Sequence, residues 1–169
     1  MVARFLILCA PLALALAGCG SQQPAADGQT RLDTAGRYDV DPETGAVSAE
    51  HTDADGMTTR LEAGERLAVA LPEPFTLFPG AEVVHNTRVE QADSRLVYLD
   101  FTTGEPVAEV IAFYRTQAGR AGMATHIDIE GKDSRTLGGE NMGVQLRFSL
   151  TARREGPLTR AQLVVGKGF

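Results

Sequence analysis

Four acidic side chains near the start of the chain have a spacing that could bind a calcium ion. Calcium takes about six to eight oxygen ligands, and the common helix-flanked loop supplies several of them from positions 1, 3, 5 and 12. Counted in that way, the acids fall at Asp39, Asp41, Glu43 and Glu50. Pro42 stiffens this segment, and its flanks have the pattern of strands. Because the same residue types favour hairpin turns, a calcium site and a solvated turn are both open.

Histidine and serine, which carry much of metal binding and nucleophilic catalysis, are scattered. His51, His85 and His126 lie far apart, and none is followed by a second histidine at the i+2 or i+4 spacing of a compact metal site. Ser48 and Ser134 lack the G-x-S-x-G setting of a nucleophile elbow. The sequence predicts no cofactor and no catalytic residue. A hydrolase would need a site assembled from distant residues, which is the third hypothesis for function.

The first 18 residues have the pattern of an export signal. Arg4 precedes an apolar run, residues 5–16, which is too short to span a membrane. The run ends in the four residues Leu16, Ala17, Gly18 and Cys19. This ending resembles the lipobox of bacterial lipoproteins, in which small residues admit the signal peptidase and the cysteine thiol accepts a diacylglycerol.

The lipobox resemblance implies a membrane anchor. Cys19 would become the first residue of the mature protein, with diacylglycerol on its thiol and a further acyl chain such as palmitate on its amine. Two or three chains hold a protein firmly, because each buried methylene is worth about 0.8 kcal/mol. Gly20, where such lipoproteins carry Asp for retention at the inner membrane, implies an outer-membrane lipoprotein facing the periplasm. Cys9 leaves with the signal, so no free thiol is expected for a disulfide, a nucleophile or zinc.

The charge distribution argues against nucleic acid as a partner. The 169-residue chain has a formal net charge of -6. Residues 27–73 contain 11 acidic residues and four arginines, whereas residues 75–169 contain 11 of each sign. No basic stripe is present that could follow a phosphate backbone, and no binding of nucleic acid is predicted.

Four regions follow one another along the chain. We predict a signal peptide over 1–18, a lipidated flexible tether over 19–36, an acidic β-hairpin segment over 37–70 and an α+β domain over 71–169. The tether is polar and has no hydrophobic period. At 43% hydrophobic residues, the chain can form one or two small cores.

The acidic segment has the pattern of short strands separated by turns. Asp55–Gly56 predicts a two-residue type I′ turn, and residues 63–65 predict a second reversal before an apolar strand at 67–71. Apolar content is low, so these strands either form a weakly buried sheet of their own or pack on the domain that follows.

The last hundred residues predict one helix packed on a curved antiparallel sheet, in the order β-β-α-β-β-β-β, after the short N-terminal hairpins. Pro106 suits a helix start, and the apolar positions at helical spacing are Val107, Val110, Ile111, Tyr114 and Ala118. Alternating patterns predict strands at 82–90, 95–102, 124–129, 135–138, 144–153 and 159–165, the last four as a meander with one turn at Gly138–Gly139.

Aromatic residues flank this helix. Phe75, Leu77 and Phe78 either pack in the core or form an exposed apolar lip for a partner. Phe113 and Tyr114 point to neighbouring helix faces, so one of them is expected at the margin of the core.

Three stretches of the α+β domain resemble uncharacterised bacterial envelope lipoproteins. They are Leu71-Pro72 with residues 78–81, the strand end at residues 102–106, and a helix that contains Phe113, Tyr114 and Arg115. Met123 follows Gly122, where that group has tryptophan. The group has no assigned catalytic residues, so the resemblance implies fold and location only.

These observations lead to two main hypotheses for function. The first is a membrane-anchored lipoprotein, not an enzyme, whose domain serves as a periplasmic accessory or interaction module for an envelope protein. The alternative is a small-ligand or calcium-binding envelope protein that uses the acidic hairpins.

Overall fold

A single antiparallel sheet and one helix account for most of the described chain. The computed structural model describes residues 36–168, so the predicted signal peptide, the predicted lipobox with Cys19 and the predicted tether before Gly36 lie outside the described residues. The elements in chain order are β1 (Gly36–Val40), β2 (Val47–Thr52), β3 (Thr58–Ala63), β4 (Glu82–Gln91), β5 (Ser94–Thr103), α1 (Val107–Arg120), β6 (Ala124–Glu130), β7 (Ser134–Asn141), β8 (Leu146–Glu155) and β9 (Leu158–Lys167).

The strand order places the last strand in the middle of the sheet. Across the sheet the order is β1-β2-β3-β4-β5-β9-β8-β7-β6, and all neighbours are antiparallel. The predicted class, α+β with one helix on an antiparallel sheet, is confirmed, and β6 to β9 form the predicted meander. Strands β1 and β6 are the two edges.

The N-terminal hairpins belong to this same sheet. Strand β3 pairs with β4, with Leu61 opposite Val89, so β1, β2 and β3 extend the sheet on one side. The predicted type I′ turn at Asp55–Gly56 is wrong. The Asp53 amide donates to the Met57 carbonyl at 3.0 Å, so three residues make the turn, and only Gly56 has a positive φ.

Helix α1 covers the sheet at strands β7 and β8. It begins at Val107, one residue after Pro106, which is the N-cap in an extended conformation. Its buried face carries four of the five predicted apolar positions, Val110, Ile111, Tyr114 and Ala118, because they recur at the period of the helix. Tyr114 is completely buried and burial raises the pKa of its hydroxyl, whereas Phe113 lies at the margin, as predicted.

The core fills the space between α1 and one face of the sheet. Phe75 and Phe78 come from the connection between β3 and β4 and are both buried, so they form no exposed lip. The Phe75 ring lies 5.2 Å from that of Phe148, and the Phe78 ring packs edge-on against Phe113 at 5.1 Å. Burial of one such side chain contributes about 1.5–3 kcal/mol.

The connection between β3 and β4 is held by side-chain hydrogen bonds and is not a strand. The strand predicted at residues 67–71 is therefore wrong: the buried Asn86 amide donates to the carbonyls of Leu67 and Ala68 at 3.1 and 3.3 Å. Gln117 of α1 donates to the Thr76 hydroxyl at 2.8 Å and accepts from the Thr76 amide at 3.1 Å. These bonds position Phe75 and Phe78 over the core.

A predicted strand start and a predicted turn in the second half of the sheet are wrong. The strand predicted from Val144 starts at Leu146, because residues 142–144 form a 3₁₀ turn and Gln145 is left-handed with a φ of 49°. The turn predicted at Gly138–Gly139 is also wrong, since both glycines lie inside β7.

Gly139 allows β6 to approach β7 closely. A Cβ atom on Gly139 would lie 2.4 Å from the Ala124 carbonyl oxygen, beside an irregularity in β6 between Thr125 and Ile127. Glycine inside a strand often marks such an approach.

We expect Gly139→Ala to lower the free energy of unfolding by about 1–3 kcal/mol, because the new methyl group overlaps the backbone of β6. Urea unfolding measures the loss, and amide hydrogen exchange should increase most in β6.

Gly119→Ala is the matched control. Gly119 lies in α1, and a Cβ atom there would meet nothing within 4 Å. This variant should gain about 0.5–1 kcal/mol, because alanine loses less backbone entropy in a helix. Equal effects of both substitutions would contradict the close approach.

Candidate interaction surface

The four predicted calcium ligands do not converge. The Asp41 carboxylate accepts hydrogen bonds from the amides of Glu43 and Thr44 at 2.8 and 2.9 Å, which makes it the cap of the turn between β1 and β2. These bonds, that from Thr44 first, lower the pKa of Asp41. Glu50 binds the Arg60 guanidinium at 2.7 Å, and Asp39 stands opposite Ser48 on the strand pair. The observed geometry is that of the solvated turn.

The histidines lie at separate places on the sheet. His51 is exposed on β2, and His85 shares a 2.9 Å hydrogen bond with Thr87. His126 lies 3.7 Å from Glu140, with both side chains well exposed on β6 and β7. Within residues 36–168, no three histidine, cysteine or acidic side chains are arranged to hold a metal ion. No helix in that part of the chain has the length and apolarity to cross a membrane.

The two faces of the sheet have opposite character. We call the face that carries Val97, Leu99 and Phe101 of β5 the covered face, because α1 and the β3–β4 connection lie on it. The opposite face, which carries Leu96 and Tyr98, is the open face. Since side chains alternate along a strand, the pairing register assigns each strand residue to one face.

On β1 to β3 and at the adjoining end of β4, the covered face carries charged residues in place of a core. The register aligns one row across five strands, Arg37, Glu50, Arg60, Glu90 and Arg95, in which the charge alternates at each step. Two contacts in it measure 2.7 Å, from Arg60 to Glu50, and 2.8 Å, from Arg95 to Glu90.

A second charged contact joins Arg88 to Glu62 next to that row. Hydrogen bonding to Arg60 lowers the pKa of Glu50. Opposite charges directly across a strand pair stabilise the pairing. The row therefore stabilises the part of the sheet that has no core beneath it.

The open face of the same strands carries a band of apolar side chains. Two rows run across it, and we call them together the apolar stripe. Their apolar members are Tyr38, Ala49, Leu61, Val89 and Leu96 in the first row, and Val40, Val47, Ala63, Tyr98 and Val164 in the second. Tyr38 is 69% exposed and Val40 is 45% exposed, whereas the others are half-buried by their neighbours. No described element covers the stripe. A contiguous apolar surface of this kind is typical of binding sites.

A half-buried ion pair lies beside the apolar stripe. Arg160 of β9 binds both carboxylate oxygens of Asp100 on β5, the shortest contact being 2.6 Å, and Asp100 is only 4% exposed. Asp100 raises the pKa of the Arg160 guanidinium through these hydrogen bonds. His85 stands opposite Asp100, and its ring lies 6.3 Å from that of Tyr98. These side chains place polar recognition groups next to apolar ones.

The far edge of the sheet is joined to the helix by a second ion cluster. Asp128 of β6 accepts from Arg135 of β7 at 2.8 Å and from Arg115 of α1 at 2.9 Å. Hydrogen bonds from Arg135 first and Arg115 second lower the pKa of Asp128 to about 2. The cluster lies on the covered face and ties β6, β7 and α1 together.

A groove of about 510 Å³ runs beside α1, on the side of the sheet opposite the open face. Phe78 and Phe113 line it together with Glu105, Glu109 and Arg120. The groove is open to solvent along its length, and its charged groups are of both signs, so it selects no particular ligand chemistry.

The sequence pattern of β1 to β3 does not by itself predict the apolar stripe. Their low apolar content indicates weakly buried strands and does not assign the side chains to faces. The signal was present in the alternation of Val47 and Ala49 with Ser48, and of Leu61 and Ala63 with Glu62. Its meaning depends on knowing which face α1 covers.

Comparison of the chain with protein-family models, with curated proteins and with solved structures finds no match.

The Asp128 cluster predicts a loss of stability in acid. Its carboxyl has a folded-state pKa of about 2 and an ordinary value of 3.8. The contribution of the cluster is complete above the ordinary value and is lost as the pH falls through the folded-state value. Asp128→Asn should therefore have a lower urea midpoint than the natural protein near neutral pH, and the difference should shrink between about pH 4 and pH 2.

Asp55→Asn is the matched control, because Asp55 lies in an exposed loop between β2 and β3. It should shift the urea midpoint little at any pH in this series. A difference between Asp128→Asn and the natural protein that stays constant down to pH 2 would show that the cluster is not the acid-sensitive element.

Proposed function

We propose that this protein is a membrane-anchored lipoprotein of the bacterial envelope and that its domain is a binding module, not an enzyme. The single observation that carries the binding role is the apolar stripe on the open face, with Tyr38 and Val40 among the most exposed apolar side chains of residues 36–168. The anchor rests on the lipobox pattern that ends at Cys19.

The chemistry of the open face favours a protein partner. Aromatic and aliphatic side chains form its centre, and the Asp100–Arg160 pair forms a polar border. Interfaces between proteins commonly combine an apolar centre rich in aromatic residues with a polar rim. A single small ligand would be better served by an enclosed pocket than by a sheet face.

The segment between the proposed anchor and the module is long enough for the module to reach a partner near the membrane. In the proposal, residues 19–35 connect the lipid to β1 at Gly36. That stretch reaches at most about 60 Å when extended and averages about 20–25 Å as a coil. A module tethered in this way faces the periplasm from the outer membrane and can reach a partner that stands in or near the same bilayer.

The open face should cross-link to an envelope protein, and the other face should not. A photo-reactive amino acid at Ala49, on the open face of β2, is expected to give a reproducible adduct in intact cells. Ser48 is the matched control, because it is the preceding residue on the same strand and points to the opposite face. Mass spectrometry of the adducts identifies the partner.

Cys19→Ser tests the anchor in the same cells. The unsubstituted protein should fractionate with the outer membrane and yield a lipidated Cys19 peptide, and Cys19→Ser should lose the lipid and most of the Ala49 adduct. Equal adducts from Ala49 and Ser48 would contradict the binding face. An unmodified Cys19 would contradict the anchor. Substrate turnover that one substitution abolishes would contradict the non-enzymatic role.

A further inference from the structure

Strand β1 is an exposed and regular edge of the sheet. All five residues of Gly36–Val40 are exposed, and their pairing with β2 runs without interruption. An edge strand presents unpaired backbone amides and carbonyls, so it is a template on which another strand can pair.

The backbone geometry shows which groups of β1 are free. The Asp41 amide donates to the Ala46 carbonyl at 2.8 Å at the base of the hairpin. Because residues alternate in direction, Arg37 and Asp39 share the inward direction of Asp41 and bond to β2. The amides and carbonyls of Gly36, Tyr38 and Val40 point outward, away from the sheet.

The side chains of β1 divide between the two faces. Arg37 and Asp39 lie on the covered face, where Arg37 is one end of the alternating charged row. Tyr38 and Val40 lie on the open face, at the outer end of the apolar stripe. Opposite charges therefore flank Tyr38 symmetrically on one face.

We propose that β1 pairs with β1 of a second copy of this chain, antiparallel and centred on Tyr38. In this register Tyr38 stands opposite Tyr38 of the second copy, and Gly36 stands opposite Val40. The outward amides and carbonyls of these residues then form about six backbone hydrogen bonds. The two sheets become one continuous sheet with a twofold axis at its centre.

A symmetric pairing can be centred on Arg37, Tyr38 or Asp39, and only the register centred on Tyr38 places opposite charges across from each other. Arg37 stands opposite Asp39 of the second copy, and Asp39 stands opposite Arg37. These are the non-hydrogen-bonded positions, at which side chains approach most closely. A shift of the axis to Arg37 or Asp39 would place like charges directly opposite each other.

Both faces of the sheet continue across the axis. On the covered face the alternating row gains Asp39 of the second copy next to Arg37. On the open face the two stripes join at the Tyr38 pair, which would remove part of the most exposed apolar surface from water. A continuation of charge pattern and of apolar pattern in the same register favours a second copy over an unrelated strand.

The opposite edge of the sheet does not offer the same template. Strand β6 is irregular between Thr125 and Ile127, and an irregular edge twists its free groups away from a partner. The proposed pairing is therefore specific to β1 and closes into a dimer without leading to a filament.

The inference goes beyond the proposed function, and its test uses purified protein with no envelope partner. The lipidated full-length mature chain is studied in density-matched detergent by sedimentation equilibrium. We expect a dimer that Asp39→Arg weakens by about tenfold or more in dissociation constant, because two arginine side chains then face each other at each of the charged pairs. Ser48 is the neutral neighbour of Asp39 within the chain, so the fold should tolerate this change.

A complementary variant makes the test independent of stability. Arg37→Glu should weaken the dimer to a similar extent, because the introduced glutamate faces Asp39 of the second copy. An equimolar mixture of Asp39→Arg and Arg37→Glu should associate again. Within either variant both facing pairs join side chains of like charge, whereas between the two variants both facing pairs join side chains of opposite charge. Misfolding of either variant could not produce this rescue.

Register is tested by cysteine cross-linking. Arg37→Cys mixed with Asp39→Cys should give a disulfide-linked dimer on oxidation, whereas each variant alone should give much less, because like positions are not opposite each other. A monomeric natural protein, a dimer that Asp39→Arg leaves intact, or equal cross-linking of single and mixed variants would each overturn the proposal.

Discussion

A single helix has to cover a sheet that is wider than itself, and the rest of the structure depends on this constraint. Helix α1 has 14 residues and is about 21 Å long, whereas nine strands about 4.8 Å apart span nearly twice that width. The helix and the β3–β4 connection therefore cover only the central strands of the sheet and those on the β6 side. The side chains of Phe75, Tyr114 and Phe148 form the core in that region and leave β1 to β3 without one.

The polarity of the sheet inverts where the cover ends. On β8 the apolar side chains lie on the covered face, on β5 and β9 both faces carry them, and on β1 to β3 they lie on the open face. Where neither α1 nor the β3–β4 connection lies on it, the covered face carries Glu50, Arg60 and Glu90. Their charges alternate across the strands and so stabilise a surface that meets water. The inversion is what leaves an apolar stripe and a bare edge available for binding.

Much of the fold follows from short-range patterns. The helix is predictable because Val110, Ile111, Tyr114 and Ala118 recur at its period, and the strands of the meander are predictable because their apolar residues alternate. Two of the errors come from contact between distant residues. The pair Gly138–Gly139 has the pattern of a turn, but in the fold it lies inside β7 with β6 against it. Residues 67–71 have the pattern of a strand, but Asn86 binds the carbonyls of Leu67 and Ala68.

The sequence by itself determined the class of fold, the position of the helix and the charge of the acidic segment, because each depends on neighbours within a turn or a strand. It also carries the pattern at residues 16–19 that resembles a lipobox, and such a pattern is local by nature. Only the tertiary structure decided that Glu50 binds Arg60, that Asp128 joins three elements, and that Tyr38 lies on a face with no cover. Those outcomes depend on strand order and register, which bring together residues far apart in the chain.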